Sequence, residues 1–137
     1  MKLILLAAAK SSKGVPATGR PYYYHVTPVK NLESIRANGL VPRANQSRFG
    51  AASPELLGSS KVPKIFMLPI LNGAAHKDFM KEWWHNPDVA VLRAKASDIK
   101  GLMVSADPYY ARMEAWTFDK IPASVLELQV GNKWVRI

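Results

Sequence analysis

Two residues able to do chemistry stand in runs that are otherwise aromatic or apolar. His25 lies in Tyr22-Tyr23-Tyr24-His25-Val26-Thr27-Pro28, and Glu114 in Met113-Glu114-Ala115-Trp116-Thr117-Phe118. A carboxylate on an apolar strand is costly unless it is paired, hydrogen-bonded or solvated. An acid in such a run is unusual, which makes Glu114 a candidate functional carboxylate to pair with His25 across the chain. A histidine at a strand end can hydrogen-bond hydroxyl groups or carry a proton. Each residue also has a plain structural reading. Glu114 can be solvated at a strand edge or paired with Arg112 or a lysine, and His25 can simply pack among tyrosines. A Gly-rich phosphate loop is absent, and so is a nucleophile-elbow motif. There is no cysteine, and the three histidines, His25, His76 and His85, are scattered, so no metal site is expected.

The elements that must carry these residues follow from pattern. Tyr22 to Val26 is aromatic and β-branched and predicts a half-buried strand. Alternation places Tyr23, His25 and Thr27 on one face, and Tyr22, Tyr24 and Val26 on the other. Thr27 and Pro28 read as the N-cap and first residue of a helix, with Val29, Leu32 and Ile35 at helical spacing and Gly39 closing it. His25 and Thr27 would then stand at a positive helix N-terminus, which suits a phosphate-bearing ligand.

Further along, Lys64 to Leu68 is a short apolar run that predicts a buried strand stopped by Pro69. Residues 73–84 have a helical pattern. Val89 to Ala94, Leu102 to Val104, Met113 to Phe118 and Val125 to Val130 predict strands, and Gly131-Asn132 a hairpin turn before the return strand Lys133 to Ile137. Residues 43–63 and 105–112 read as loops, and residues 11–20 as a basic linker. Six or seven short strands with two main helices make the fold class α+β.

The 137-residue chain is long enough for one domain. Its net charge of +9 is uneven: residues 1–64 hold ten Lys/Arg against two acids, and residues 65–137 nine against eight. That asymmetry has two readings, attraction to nucleic acid or another polyanion and a merely basic soluble surface; no base-stacking motif in the sequence decides for the first. The apolar start, Met1 to Ala9, is shorter than a signal peptide needs and far too short to span a membrane. No membrane span and a cytoplasmic location, in its own host or a target cell, are expected.

Three blocks in order carry a family resemblance. They are Tyr24-His25-Val26-Thr27 with Asn31 to Ile35 and Gly39 to Arg43; then Lys64-Ile65-Phe66-Met67-Leu68; then Met113 to Pro122 with Glu114 opening a strand. The set resembles the ADP-ribosyltransferase-like superfamily, in its poly-ADP-ribose polymerase and diphtheria-toxin branch. This chain has Val26 where the polymerase motif has glycine, and Phe66 where the family often has a stacking tyrosine. Arg112, two residues before Glu114, stands where arginine-modifying toxins carry Gln or Glu, which points away from that subclass.

The resemblance implies a split β-sandwich with two main helices, residues 21–137 as one catalytic domain, and residues 1–20 as an extension and linker. It implies NAD as substrate. His25 would bind ribose hydroxyls, the Val26 backbone the nicotinamide carboxamide, and Thr27 would support that pocket. Phe66 would stack on nicotinamide, and Arg43 would hold the pyrophosphate with the first helix N-terminus. Glu114 would be the catalytic carboxylate, and Tyr109, Tyr110 and Arg112 would meet the target. The implied function is an NAD-dependent ADP-ribosyltransferase acting on a protein or nucleic acid, in the manner of a small toxin or phage or bacterial effector. The rival readings are an NAD glycohydrolase and a non-enzymatic basic nucleic-acid-binding module.

Overall fold

Aromatic and β-branched segments build two four-stranded antiparallel sheets in the computed structural model, which describes residues 14–42, 63–69, 88–111 and 115–137. The strands are β1 (Val15–Pro16), β2 (Tyr22–Pro28), β3 (Ile65–Met67), β4 (Val89–Lys95), β5 (Met103–Val104), β6 (Ala115–Thr117), β7 (Glu127–Val130) and β8 (Lys133–Arg136). One sheet has the order β1-β5-β6-β3 and the other β2-β4-β7-β8. Helix α1 (Leu32–Asn38) follows β2, and a one-turn helix α2 (Pro108–Ala111) precedes β6. The described residues thus make an α+β fold dominated by its sheets. Among them no helix is long and apolar enough to cross a membrane.

The sheets share one apolar core. Tyr23, Ala90, Leu92 and Ala94 enter it from one sheet, and Ile65, Met67 and Ala115 from the other. Leu32 and Ile35 of α1 join them, as do Leu40 and Ile121. Alternation along β2 works as expected: Tyr23 and Thr27 are buried on the core side, and Val26 belongs to a second small cluster with Leu68 and Val91 on the other side.

The start of the helix differs from expectation. Strand β2 runs on through Pro28, whose partner is Val89, and the Val29 N–H donates to the Asp88 carbonyl at 3.0 Å. A 3-10 turn over Val29–Asn31 follows, and α1 begins only at Leu32, with no side-chain cap bond. Thr27 is therefore strand, not N-cap, and the seven-residue α1 does not open beside it. Pairing with β4 holds the Thr27-Pro28 backbone extended, and this outweighs the local preference of a Thr-Pro pair to start a helix.

The end of the helix is as expected. Gly39 has φ +73°, and its N–H donates to Ile35 O at 2.7 Å. Leu40 and Ile121 then exchange backbone bonds of 2.9 and 3.0 Å, tying the helix exit to the segment after β6.

Two expected irregular stretches contain structure. Within the stretch read as a linker, Val15–Pro16 pairs with β5 as an edge strand. Within the loop 105–112, Pro108–Ala111 is helical, so the backbone of Tyr109 and Tyr110 is not loop. The helix expected over 73–84 and the loop 43–62 lie outside the described residues.

Candidate functional site

The two sheets meet where β2 approaches β3, and His25 decides how far they join. Tyr24 and Leu68 exchange two backbone bonds, N–H of Tyr24 to O of Leu68 at 3.0 Å and N–H of Leu68 to O of Tyr24 at 2.7 Å. In an antiparallel ladder the next bonded pair would be Val26 with Phe66. Instead the Phe66 carbonyl accepts from Nδ1 of His25 at 2.8 Å. The backbone bridge between these strands stays confined to Tyr24 and Leu68 among the described residues. Since Tyr24 turns its backbone groups to this edge and away from β4, alternation turns those of Val26 to the same edge. The histidine side chain thus opens the sheet at the Val26–Phe66 position.

With Nδ1–H donating to a carbonyl, the neutral ring keeps its lone pair on Nε2. Burial pushes the His25 pKa down from its ordinary value of 6.5, and the bond to Phe66 O partly opposes this. The ring is therefore a neutral acceptor at neutral pH.

His25 lines a cavity of about 200 Å³ between β2, α1 and the start of β3. Thr27, Asn31, Ser34, Asn38 and Lys64 add polar groups to its wall. Asn31 Nδ2 donates to Thr27 Oγ1 at 3.1 Å, which fixes both side chains at the strand end. Ile35, Gly39, Leu40, Val41 and Ile65 form the apolar part of the lining. Gly39 must be glycine here: a Cβ would stand 2.3 Å from the Ile121 carbonyl oxygen, at a left-handed φ.

Lys64 is buried, with its Nζ 5.6 Å from the Phe66 ring centre and 6.0 Å from that of Phe118. The rings sit within cation–π range. Phe66 is on the side of β3 away from Ile65 and Met67, so its half-buried ring does not enter the core. Phe66 pairs with Trp116 and Met67 with Ala115, the residue that follows Glu114 in the chain.

The structure therefore brings His25 and Thr27 to one cavity and the Phe66 carbonyl to His25, with the Val26 backbone at the same edge; the Phe66 ring is not part of that cavity's lining. Glu114, Arg112 and Arg43 lie outside the described residues, as do the side chains of Tyr109 and Tyr110. Sequence reasoning missed Asn31, Ser34, Asn38 and Lys64. Ser34 and Asn38 are four apart and could have been found as a polar stripe beside Ile35. Lys64 carried no local signal, since a lysine before an apolar run normally marks a solvated strand end.

Comparison of the chain with family models, curated proteins and solved structures finds no match.

The cavity is smaller than the roughly 300–1,000 Å³ of most small-molecule sites. Its hydroxyl, amide and imidazole groups can hydrogen-bond a small polar group.

Proposed function

We propose that the protein is an NAD-dependent ADP-ribosyltransferase, which releases nicotinamide and passes ADP-ribose to a macromolecular acceptor. The observation that carries this reading is the opened sheet edge at His25. There the Phe66 carbonyl is taken by the imidazole rather than by the Val26 N–H. That leaves Val26 backbone groups directed at an edge flanked by an aromatic residue, which is the geometry a carboxamide needs for paired hydrogen bonds. The reading also draws on the order of the three sequence blocks, since β3 is the neighbour of both β2, through Tyr24 and Leu68, and β6.

In this reading each residue has one task. His25, a neutral acceptor at Nε2, takes a ribose hydroxyl proton in a hydrogen bond and acts as a clamp, not as an acid or base. Thr27, held by Asn31, supports the nicotinamide pocket beside the Val26 backbone. The Phe66 ring stacks on the nicotinamide. Lys64 adds positive charge in the cavity wall, and Arg43 is the proposed pyrophosphate ligand. Glu114 binds the nicotinamide-ribose 2′-hydroxyl and stabilises the cationic sugar as the glycosidic bond lengthens. Tyr109, Tyr110 and Arg112 are the proposed acceptor contacts. The toxin or effector role is an extension of the same reading.

The test is transfer of label. NAD labelled in its adenylate phosphate is incubated with the protein and a cell extract. Label on protein or nucleic acid, lost in Glu114→Gln, is the expected result. Free ADP-ribose with no labelled macromolecule would make the enzyme a glycohydrolase.

A further inference from the structure

A second cavity lies at the opposite end of β2, on a different surface. It measures about 380 Å³ and is lined by Arg20, Pro21, Tyr22, Lys95, Ala96 and Ser97. Its frame is rigid, because Tyr22 pairs with Lys95 and the Ala96 N–H donates to the Pro21 carbonyl at 2.9 Å. Tyr22 and Lys95 project on the side of the sheet away from Tyr23 and the core.

That outer side carries an ordered stack. The Arg93 guanidinium lies 4.0 Å from the Tyr22 ring centre and 4.4 Å from that of Trp134. Glu127 accepts from Arg93 Nε at 2.7 Å, which fixes the guanidinium between the rings. Tyr24 continues the row, 5.9 Å from Trp134. All three rings are half-buried, so each keeps some surface open. Arg136, paired in register with Glu127, donates to the Ser124 carbonyl.

The charge balance of this surface is positive. Glu127 is matched to Arg93, and Asp98 stands exposed on the following turn. Arg20 and Lys95 form no ion pair among the described residues. Two cations, a serine hydroxyl and a tyrosine ring around one nucleotide-sized space fit a phosphate with an attached base. The row of rings and cations beyond it fits successive unpaired bases and their backbone. A duplex would present its phosphates but not its base faces.

We propose that the Tyr22–Arg93–Trp134 end of the outer face of the β2-β4-β7-β8 sheet, beyond the buried Val26–Leu68–Val91 cluster, binds single-stranded nucleic acid, with one nucleotide seated in the Arg20–Lys95 cavity. The surface lies on the other side of β2 from His25 and stands independently of the NAD reading.

The experiment is fluorescence anisotropy with a labelled single-stranded 12-nucleotide DNA of mixed sequence, without NAD, over a range of salt. A duplex of the same sequence and a mononucleotide are run as competitors. Wild type is expected to bind the single strand in preference to both. The double substitution Arg20→Ala and Lys95→Ala should weaken binding about tenfold at low salt and lower the salt slope by about 1. Tyr22→Leu should weaken it about fivefold or more. Lys30→Ala with Arg36→Ala, on the α1 side, should change it less than about twofold. Circular dichroism melts confirm that each variant is folded. The proposal is overturned if wild type does not bind or if the duplex or mononucleotide competes as well as the single strand. It is equally overturned if the Arg20/Lys95 pair can be removed without effect, or if the α1-side pair matters as much.

Discussion

The imidazole Nδ1 of His25 stands 2.8 Å from the carbonyl oxygen of Phe66, forty-one residues away in the chain. This one bond does two things. It replaces a backbone bond that would have joined the two sheets by one more rung, and it sets which ring nitrogen keeps its lone pair. Nitrogen-15 spectra of the protein at neutral pH should show His25 as the Nδ1–H tautomer. His25→Ala leaves the Phe66 carbonyl without its donor and should cost about 1–3 kcal/mol, read from urea unfolding. A spectrum of the Nε2–H tautomer would contradict the bond.

The pH dependence follows from the same site. His25 has its folded-state pKa below the unfolded 6.5. Between those two values the unfolded chain binds more protons, so stability rises with pH through that window. The contribution is fully present above about pH 6.5 and is lost as pH falls toward the folded-state pKa. The wild-type urea midpoint should therefore fall between pH 7 and about pH 5 by more than that of His25→Asn, which lacks the titrating ring. Parallel curves for the two proteins would contradict the shift.

Gly39 and Gly19 form a controlled pair. Both have positive φ, +73° and +87°, but only Gly39 has a neighbour that a Cβ would strike. Gly19→Ala should cost about 1 kcal/mol, for backbone strain alone. Gly39→Ala should cost on the order of 3 kcal/mol and shift the Leu40–Ile121 bridge that closes the first cavity. Equal losses from the two would contradict the close approach to Ile121.

Thr117 ties β6 to the turn before β5 and to the turn that follows β6. It is buried, its Oγ1 donates to the Lys100 carbonyl at 2.6 Å, and it accepts from the Asp119 N–H at 3.1 Å. Thr117→Val keeps the volume and removes both bonds, so a loss of about 2–3 kcal/mol is expected in thermal or urea unfolding. Thr117→Ser should recover most of it. A valine variant as stable as wild type would show that these bonds are not maintained in solution.

Much of the sheet framework could be read from the chain. The two faces of β2, the strand over Val89–Lys95, the glycine stop of α1 and the Gly131-Asn132 hairpin all come from short-range rules that the tertiary structure leaves intact. What could not be read depends on distant partners. Thr27 looked like a cap because nothing local shows that Pro28 pairs with Val89. Val15–Pro16 looked like linker because a two-residue edge strand has no periodicity. At the site, His25, Thr27 and Phe66 were visible as types in suggestive places, whereas the bond from His25 to a main-chain carbonyl has no sequence signature. The buried Lys64 was hidden for the same reason: its surroundings include the rings of Phe66 and Phe118, brought close by folding.

In the proposed function, His25 and the opened edge at Val26 hold NAD for cleavage with Glu114. Release of free nicotinamide from NAD, followed by chromatography in the presence of cell extract, tests it most directly. Wild type should release nicotinamide in proportion to enzyme. Glu114→Gln should lose about 100-fold or more in rate, as expected when a charge-stabilising carboxylate is removed. His25→Ala should lose less at saturating NAD and show a raised KM. No release by wild type, or a Glu114→Gln variant as active as wild type, would rule out NAD cleavage at this site.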